Sequence, residues 1–446
     1  MLPEVESLNR ASSLVRIPPC DGVPLTPRVR RVLDTAPMRR LASISQLGMV
    51  ALVYPGATHS RFEHSLGVYH NALRLLARFA GDPDFTSLVD QRMCEAFVLA
   101  SLTHDLGHWP FCHPIEDMKL GDLGEHESRV GQWLQTPELA ECIAEDWTCS
   151  AEDVLQLLQP TVDSPDVRFL ASCLSGPIDV DKLDYLQRDS LHAGVPYGHN
   201  FDVGRLISSM CVDATHNRLA VGEKGRTAAE MMVFARYVMF SEVYWHHAVR
   251  SATAMLQRGV FLLQNRIDLQ GSLSLDDPAW IAMLRRAAEG SVAEPLVDGI
   301  FGPRRQLYKR VAEFNVLDEQ AEVHRKLARR PYWWLVACAE TLAQQLADKT
   351  GEAVHAADVL IDAPPTKLEV DINVDVLSRD GTARPLGDVS PVASALPNQQ
   401  FDNQVKRVRI FVRPELRDQL KDLIPSADAW ADQLLESVVA TEQRIV

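Results

Sequence analysis

The stretch LTHDLGHWPFCH, residues 102–113, places three histidines and one aspartate among apolar residues. Its first residues overlap the end of a mostly apolar segment, RMCEAFVLASLTHDLG, and this segment predicts a helix through the middle of a domain. His104 and His108 are four residues apart, so a continuous helix would present them on one face, with Asp105 about 100° away. A buried ionised aspartate needs an opposite charge or a metal ion. The stretch therefore predicts part of a metal site.

Two further segments offer ligands to the same ion. RFEHSLG supplies His64, and PIDVDKLDY supplies carboxylates at Asp179, Asp181 and Asp184. A mixed set of imidazole and carboxylate ligands suits Fe, Mn, Ni or Zn rather than Ca. Such a site is able to lower the pKa of bound water for hydrolysis.

The pattern around these segments is helical from about residue 28 to 300. Residues 13–30 predict a hairpin or an extended arm, because proline and glycine interrupt them. Apolar residues at three- and four-residue spacing then predict a series of helices, which lie at 64–80, 125–145, 166–175, 178–192, 228–265 and 278–290. We expect a large helical domain over residues 1–300, with an N-terminal arm at 1–30.

The pattern changes after residue 300. Apolar residues alternate from Leu368 to Val376, and again at Val408, Ile410 and Val412, which predicts two strands buried on one face. Residues 378–402 predict a long polar loop. Pro414 predicts a helix start, and Ser426 an N-cap for a helix over the last twenty residues. The fold class is therefore mainly α, with a smaller C-terminal α+β lobe at 301–446.

Composition and charge restrict the function. The chain has 446 residues, of which 46% are hydrophobic and 24% charged, as in globular proteins. Its net charge of −15 repels nucleic acids and anionic membranes, so we expect no stable binding to either. The eight cysteines contain no C-x-x-C pair, and the N-terminal residues lack the apolar segment of a signal peptide. We expect free thiols and a cytoplasmic location.

Together the motifs resemble a known family. His64, the pair His104–Asp105 and the distant Asp181 resemble the H…HD…D signature of the HD-domain phosphohydrolases. The resemblance extends to the deoxynucleoside triphosphate (dNTP) triphosphohydrolase branch through four segments in the same order, which are QLGMVALVYPGATHSRFEHSLGVYHNA, LTHDLGHWPFCH, GEHES and IDVDKLDYLQRDSLHAGV. It implies an HD-type helical core, one bound transition metal, and Mg²⁺ carried by the substrate. It also implies a dimer or tetramer, and hydrolysis at the α-phosphorus to deoxynucleoside and triphosphate.

The resemblance also implies roles for individual residues. The metal ligands are His64, His104, Asp105 and Asp181. The residues implied to contact the phosphates are Arg61, Lys182, Tyr185 and Arg236. Those implied to contact the sugar are Gln46, Leu47, Asp189 and Tyr244. The active-site histidines are His108, His113 and His126. A histidine must protonate the departing 5′-oxygen, because an alkoxide is a poor leaving group. His113 is favoured for this role, with His126 as the alternative and Glu116 as the group that orients His113.

Spacing adds independent support for two of these groups. Asp181, Lys182, Tyr185 and Asp189 fall on one predicted helix stripe, and Arg236, Phe240 and Tyr244 on another. A ligand-facing stripe explains this mixture of charges and tyrosines better than a solvated helix face does, although the latter remains an alternative.

Some positions depart from the family pattern. Phe240 and Trp245 replace a histidine and a glutamine of the vertebrate members. Asp34 matches a residue that reads an activating guanine nucleotide, but Arg39 and Ala42 replace two other residues of that effector site, which makes such activation doubtful. Two other functions remain open. One is an HD phosphohydrolase acting on other nucleotides or short oligonucleotides, and the other is a non-catalytic nucleotide-sensing module.

Overall fold

The computed structural model describes residues 2–9, 13–121, 123–364, 374–395 and 405–445. As predicted, the structure is mainly helical. The α-helices, α1 to α24 in chain order, are Pro3–Glu6, Pro27–Leu33, Ala36–Leu41, Arg61–Phe79, Pro83–Leu88, Gln91–Thr103, Cys112–Asp117, Val130–Leu134, Pro137–Asp146, Ala151–Leu158, Pro165–Ser175, Val180–Ala193, Val203–Ser209, Arg226–Met239, His247–Leu263, Leu269–Ser272, Asp277–Ala288, Glu294–Phe301, Ala321–Leu327, Tyr332–Thr350, Leu386–Val389, Pro391–Ala395, Pro414–Leu423 and Ala427–Ile445.

Three small sheets accompany the helices. The strands, β1 to β9 in chain order, are Leu14–Ile17, Cys20–Pro24, Met210–Asp213, Arg218–Gly222, Lys309–Phe314, Val359–Asp362, Asp375–Leu377, Ala383–Pro385 and Val408–Val412. Strands β1 and β2 form an antiparallel hairpin, which confirms the hairpin predicted at 13–30. The second sheet has the order β3-β4-β7-β8, with β4 and β7 parallel. The third sheet has the order β5-β9-β6 and is antiparallel.

The chain divides into two compact units. Unit 1 contains Met1–Pro110, Gly124–Met239 and Asp371–Asn398, and unit 2 contains Phe111–Leu123, Phe240–Val370 and Gln399–Val446. The division at residue 300 into a catalytic domain and a C-terminal lobe stays a prediction. Within the described part of the chain, no helix is both long and apolar enough to cross a membrane.

The core of unit 1 is built around three helices. Helix α4 packs against both α6 and α12. Each of the three helices begins at a capping residue whose side chain accepts a hydrogen bond from a backbone amide. The capping residues are Ser60 for α4, Asp90 for α6 and Asp179 for α12. Helix α6 is buried along almost its whole length from Met93 to Thr103, as its apolar sequence predicts. These helices carry most of the predicted metal and phosphate ligands.

In unit 2, helices α20, α23 and α24 cover the sheet β5-β9-β6 and enclose its apolar core. The strand predicted at Val408, Ile410 and Val412 is present as β9. The prediction that only one of its faces is buried is wrong, because all five residues are buried. Phe411 and Arg409 on the other face are also buried. The Arg409 guanidinium is accommodated there because its Nε donates to Glu313 on β5, at 2.6 Å.

Several predicted helices differ from the observed ones. Helix α6 ends at Thr103, and His104–Gly107 form a 3₁₀ turn. The prediction that His104 and His108 lie on one face of a continuous helix is therefore wrong. The helix predicted over 228–265 is interrupted, because α14 ends at Met239 and a π-helical turn follows at Phe240–Tyr244. The helix predicted over 125–145 is likewise divided into a 3₁₀ turn, α8 and α9.

The strand predictions also need correction. Strands β3 and β4 lie within the region expected to be helical, where their four or five residues are too few to reveal a period. The strand predicted over 368–376 falls mostly outside the described residues, and Asp375–Leu377 form its described end as β7. The polar loop predicted at 378–402 contains β8, α21 and α22 over the residues that the structure describes.

Gly67 on α4 allows this helix to approach α12 closely. A Cβ atom at Gly67 would overlap the Asp184 carboxylate and the Arg188 guanidinium of α12. We expect Gly67→Ala to lower the free energy of unfolding by about 3 kcal/mol, because overpacking and a disturbed buried ion pair together outweigh the higher helix propensity of alanine.

Urea denaturation followed by circular dichroism measures this effect. Gly81→Ala is the control, because a Cβ there meets no atom within 4 Å. Equal stability of the two variants would contradict the close packing of α4 on α12.

Candidate active site

Four side chains of unit 1 meet in one place. His64 lies in the first turn of α4, Asp181 in the first turn of α12, and His104 and Asp105 in the 3₁₀ turn after α6. His64 Nε2 lies 3.3 Å from His104 Nε2 and 3.0 Å from Asp181 Oδ1. His104 Nε2 lies 3.3 Å from Asp105 Oδ1 and 4.0 Å from Asp181 Oδ1. The four predicted ligands are therefore brought together.

This donor set fits a divalent transition metal. Ligand atoms of His64, His104 and Asp105 all lie within 4.8 Å of one another, and Asp181 adds a second carboxylate. Two imidazoles and two carboxylates match the preferences of Fe, Mn, Ni or Zn, and four protein ligands leave positions for water or substrate when the ion is octahedral. The residues present could thus hold the metal ion that the sequence predicts.

The charged groups of this cluster shift one another's pKa values. Burial disfavours the charged imidazolium of His64, but hydrogen bonds to Asp181 and Asp184 outweigh this effect and raise its pKa to about 10. Burial also disfavours the charged carboxylate of Asp105, but His108, His104 and Arg61 hold its pKa well below the usual range. The pKa of Asp181 is lowered as well, because His64 outweighs burial. The carboxylates are thus held ionised, as metal ligation requires.

Asp184 supports the cluster from outside it. Its Oδ2 accepts a hydrogen bond from His64 Nδ1 at 2.8 Å, which leaves Nε2 facing the other ligands. The sequence alone identifies Asp184 only as a candidate ligand. Arg188 in turn donates from Nε and Nη2 to the two oxygens of Asp184, each at 2.8 Å. The spacing of four residues on α12 was the available signal for this pair.

Cationic groups of unit 1 lie around the candidate metal site formed by His64, His104, Asp105 and Asp181. Arg61 is buried and donates from Nη1 to Asp105 Oδ2 at 2.8 Å, while its Nε has no hydrogen-bond partner among the described residues. Lys182 Nζ lies 2.6 Å from Asp179 Oδ2. Burial raises the pKa of Tyr185, and the charges of Arg236 and Lys182 oppose this shift, so both cations lie near the phenol. The arrangement suits a polyanion.

Two of the residues predicted to contact the sugar, Asp189 and Gln46, are linked through His59. The Asp189 carboxylate accepts a hydrogen bond from His59 Nε2 at 2.9 Å. The backbone amide of Gln46 donates to the His59 carbonyl at 3.0 Å, and Leu47 follows directly, before the 3₁₀ turn Gly48–Leu52. Sequence reasoning missed His59, although it lies only five residues before His64.

Two of the predicted active-site histidines belong to unit 1. His108 Nδ1 lies 3.2 Å from Asp105 Oδ1, and the rings of His108 and His126 have their centroids 3.8 Å apart. Gly107 makes room for this approach, because a Cβ atom there would overlap the carbonyl of His126. These contacts place both imidazoles beside the metal cluster.

The remaining predicted residues belong to unit 2. The exposed His113 lies with Nδ1 3.7 Å from Glu116 Oε2, which matches the predicted pairing. Tyr244 lies in the π-helical turn, where its ring meets that of Phe240 edge to face, with centroids 5.1 Å apart. Their catalytic and sugar-binding roles stay predictions.

Comparisons with known proteins agree with this mainly helical fold. Residues 201–427, about half of the chain, match the family described as HD associated region. An uncharacterised protein of Methanocaldococcus jannaschii is 29% identical over 395 residues, which cover 88% of this chain and 77% of that protein. A crystal structure of a hypothetical protein from Aquifex aeolicus has a TM-score of 0.70 and 26% identity, and covers 92% of this chain and 98% of its own.

A third relative is an enzyme. The deoxynucleoside triphosphate triphosphohydrolase SAMHD1 of Homo sapiens is 28% identical over 280 residues. The match covers 56% of this chain and 44% of the human protein, so the chain spans less than half of that relative's length. The chain belongs to the HD-domain family related to the dNTP triphosphohydrolases.

Removing predicted ligands tests the metal site. Protein loaded with Mn²⁺ or Co²⁺ and then desalted should retain about one ion per chain, and His104→Ala or Asp181→Ala should retain less than about 0.1, because each loses one of four ligands. Elemental analysis by mass spectrometry measures the content.

The control is His216→Ala, which removes a histidine paired with Asp213 at 2.6 Å, in another part of unit 1. Full retention of metal by the two ligand variants would contradict the assignment.

Proposed function

We propose that this protein is a metal-dependent dNTP triphosphohydrolase, which cleaves the bond between the 5′-oxygen and the α-phosphorus to release deoxynucleoside and triphosphate. The observation that carries the proposal is the convergence of His64, His104, Asp105 and Asp181 beside buried Arg61. The relationship to the human triphosphohydrolase supports the choice of substrate.

A divalent metal ion held by His64, His104, Asp105 and Asp181 would supply the Lewis acidity for hydrolysis at the α-phosphate. The protein residues supply position and charge. Arg61 is held against Asp105, and its buried Nε remains available to donate to a phosphate oxygen. Lys182 and Arg236 offset the charge that develops on the triphosphate during the reaction. Mg²⁺ carried by the substrate contributes further positive charge.

The sugar is recognised in this proposal by Asp189, whose carboxylate accepts a hydrogen bond from the 3′-hydroxyl. Gln46, Leu47 and Tyr244 line the remainder of the deoxyribose, and close contact with Tyr244 disfavours a 2′-hydroxyl. Tyr185 assists Lys182 at the phosphates. The departing 5′-oxygen receives its proton from His113, which Glu116 orients, with His126 as the alternative donor, while His108 faces the phosphates.

A panel of the four dNTPs, each incubated with Mn²⁺ or Mg²⁺, tests the activity. Chromatography should detect deoxynucleoside and inorganic triphosphate in equal amounts. Release of deoxynucleoside monophosphate and pyrophosphate, or no turnover after metal reloading, would contradict the proposal. Each dNTP is also assayed in the presence of the others, which detects an activating nucleotide despite the changes at Arg39 and Ala42.

Arg61 should be essential for catalysis. We expect Arg61→Ala to lower kcat/KM by about 10²–10³-fold, because it removes a preorganised donor to the charge developing at the α-phosphate. Steady-state kinetics measure the effect, and metal content is measured in parallel because Arg61 contacts Asp105. The control Arg92→Ala removes an arginine that pairs with Asp153 and is half exposed. Equal losses in both variants would exclude a specific role for Arg61.

The proton donor is identified with a substrate that needs no proton. In a dNTP whose 5′-oxygen is replaced by sulfur, the leaving thiolate is stable without protonation. We expect His113→Ala to lose about 10²–10⁴-fold in kcat with the natural dNTP, and less than about tenfold with the thio analogue.

His126→Ala is measured in the same way. Rescue by the thio analogue in His126→Ala, and not in His113→Ala, would transfer the proton-donor role to His126.

A phosphohydrolase acting on other nucleotides is the second candidate, because one HD site is able to support several phosphoester reactions. Faster turnover of nucleoside monophosphates or short oligonucleotides than of dNTPs would favour it. A nucleotide-sensing module predicts tight dNTP binding without hydrolysis.

A further inference from the structure

A chain of buried and half-buried polar contacts connects the metal ligand His64 on α4 with the predicted sugar ligand Asp189 on α12. It begins at metal ligand His64, whose Nδ1 donates to Asp184, and continues from Asp184 to Arg188. Arg188 Nη1 then donates to Glu63 Oε1 at 2.7 Å, and the same oxygen accepts a hydrogen bond from His192 Nε2 at 3.0 Å. Asp184 and Arg188 are almost completely buried.

The chain of contacts ends at the carboxylate predicted to bind the sugar. The ring of His192 stacks on that of His59, with centroids 4.3 Å apart and planes inclined by 22°. His59 is itself buried and donates from Nε2 to Asp189 at 2.9 Å. Asp184, Arg188, Glu63, His192 and His59 thus form one network between His64 and Asp189.

We propose that this network positions both a metal ligand and the sugar-binding carboxylate, with Arg188 and His59 as its two positioning residues. The proposal rests on the proposed function for the role of Asp189. None of the five network residues needs to contact substrate, and each acts through the side chain that it holds.

Charge explains why the network is able to hold His64 in one orientation. The guanidinium of Arg188 binds both oxygens of Asp184 as a planar fork, which fixes the carboxylate in rotation as well as in position. Lysine keeps the charge of Arg188 but cannot form the fork. Both oxygens of Asp184 accept hydrogen bonds from Arg188, and Oδ2 also faces His64 Nδ1 as an acceptor. His64 Nδ1 must then donate, and Nε2 is directed to the metal.

His59 acts similarly on Asp189. One oxygen of the Asp189 carboxylate accepts the His59 hydrogen bond, and stacking on His192 keeps the His59 ring in its plane. A carboxylate held in this way offers its remaining acceptor capacity in a fixed direction. Without His59, Asp189 loses one of the contacts that orient it, so preference for a sugar with a 3′-hydroxyl should fall.

The first part of the proposal, that the network positions the metal ligand His64, is tested with Co²⁺ alone. The affinity is measured by titration against a chelating dye, and the visible spectrum of the bound ion is recorded. We expect Arg188→Lys to bind Co²⁺ about tenfold more weakly than the natural protein, as is usual when the partner of a metal-bound histidine is disturbed. Glu63→Gln leaves the fork intact and removes only a charge beside it, so we expect a smaller loss, of about threefold. This variant also provides a measurement in case Arg188→Lys does not fold.

The chain contains a matched control. Arg28, elsewhere in unit 1, donates from Nε and Nη2 to the two carboxylate oxygens of Glu4 and also pairs with Glu95. It therefore has the same kinds of contact as Arg188 has with Asp184 and Glu63. Arg28→Lys should lose stability in urea while retaining Co²⁺ affinity within about twofold. Unchanged Co²⁺ affinity in both Arg188→Lys and Glu63→Gln, or an equal loss in Arg28→Lys, would overturn the assignment.

The sugar half is tested with His59→Phe, which keeps a ring to stack on His192 but removes the hydrogen bond to Asp189. The ratio of kcat/KM for a dNTP to that for its 2′,3′-dideoxy analogue should fall about tenfold, the usual effect of a hydrogen bond to a charged group. Co²⁺ affinity should stay unchanged. A general loss of stability lowers both kcat/KM values and leaves their ratio constant, and such a constant ratio would overturn this half.

Failure of the proposed function gives a different result. If the natural protein binds Co²⁺ but hydrolyses no dNTP, the proposed activity is wrong, and the Co²⁺ affinities of Arg188→Lys and Arg28→Lys still decide whether the network positions His64.

Discussion

The buried ion pair between Asp184 and Arg188 is the interaction on which the candidate site depends. Taking a carboxylate and a guanidinium out of water is costly, and good geometry is needed to offset that cost. Here the two groups form a bidentate pair, with His64 as a further partner of Asp184 and Glu63 as a further partner of Arg188. Removing one member of such a set leaves a buried charge uncompensated, which typically costs about 3–5 kcal/mol. The set therefore holds α4 and α12 in one arrangement.

The helix packing follows from this pair. Helix α4 must approach α12 closely enough for His64 to reach Asp184, and Gly67, one turn after His64, is the residue that permits it. The Arg188 guanidinium also donates to the carbonyl of Pro18, between β1 and β2, so the N-terminal hairpin is tied to the same point. Side chains that sequence reasoning treats as separate motifs are thus held by one buried group of charges.

The sequence predicted the helical class and the four clustered ligands because both leave strong local signals. Helical periodicity is visible over the nineteen residues of α4. The histidine-rich motifs indicated a metal site, and the resemblance to the HD signature selected His64, His104, Asp105 and Asp181 as its ligands. It did not predict β3 and β4, whose few residues carry no period, or the π-helical turn at Phe240–Tyr244. It also missed the roles of His59 and Glu63. Their partners lie on α12, more than 120 residues away in the chain, and a single sequence contains no record of such pairings.

The incorrect prediction at His104 is informative about how the cluster forms. On a continuous helix, His104 and Asp105 would diverge by about 100°, and only one of them would point directly at a common ion. Because α6 ends at Thr103 and the chain tightens into a 3₁₀ turn, His104 Nε2 comes within 3.3 Å of Asp105 Oδ1. His108 then leaves the turn in an extended conformation, and its ring meets His126. The end of the helix, rather than its face, therefore brings the proposed ligands His104 and Asp105 together, and it directs His108 towards His126.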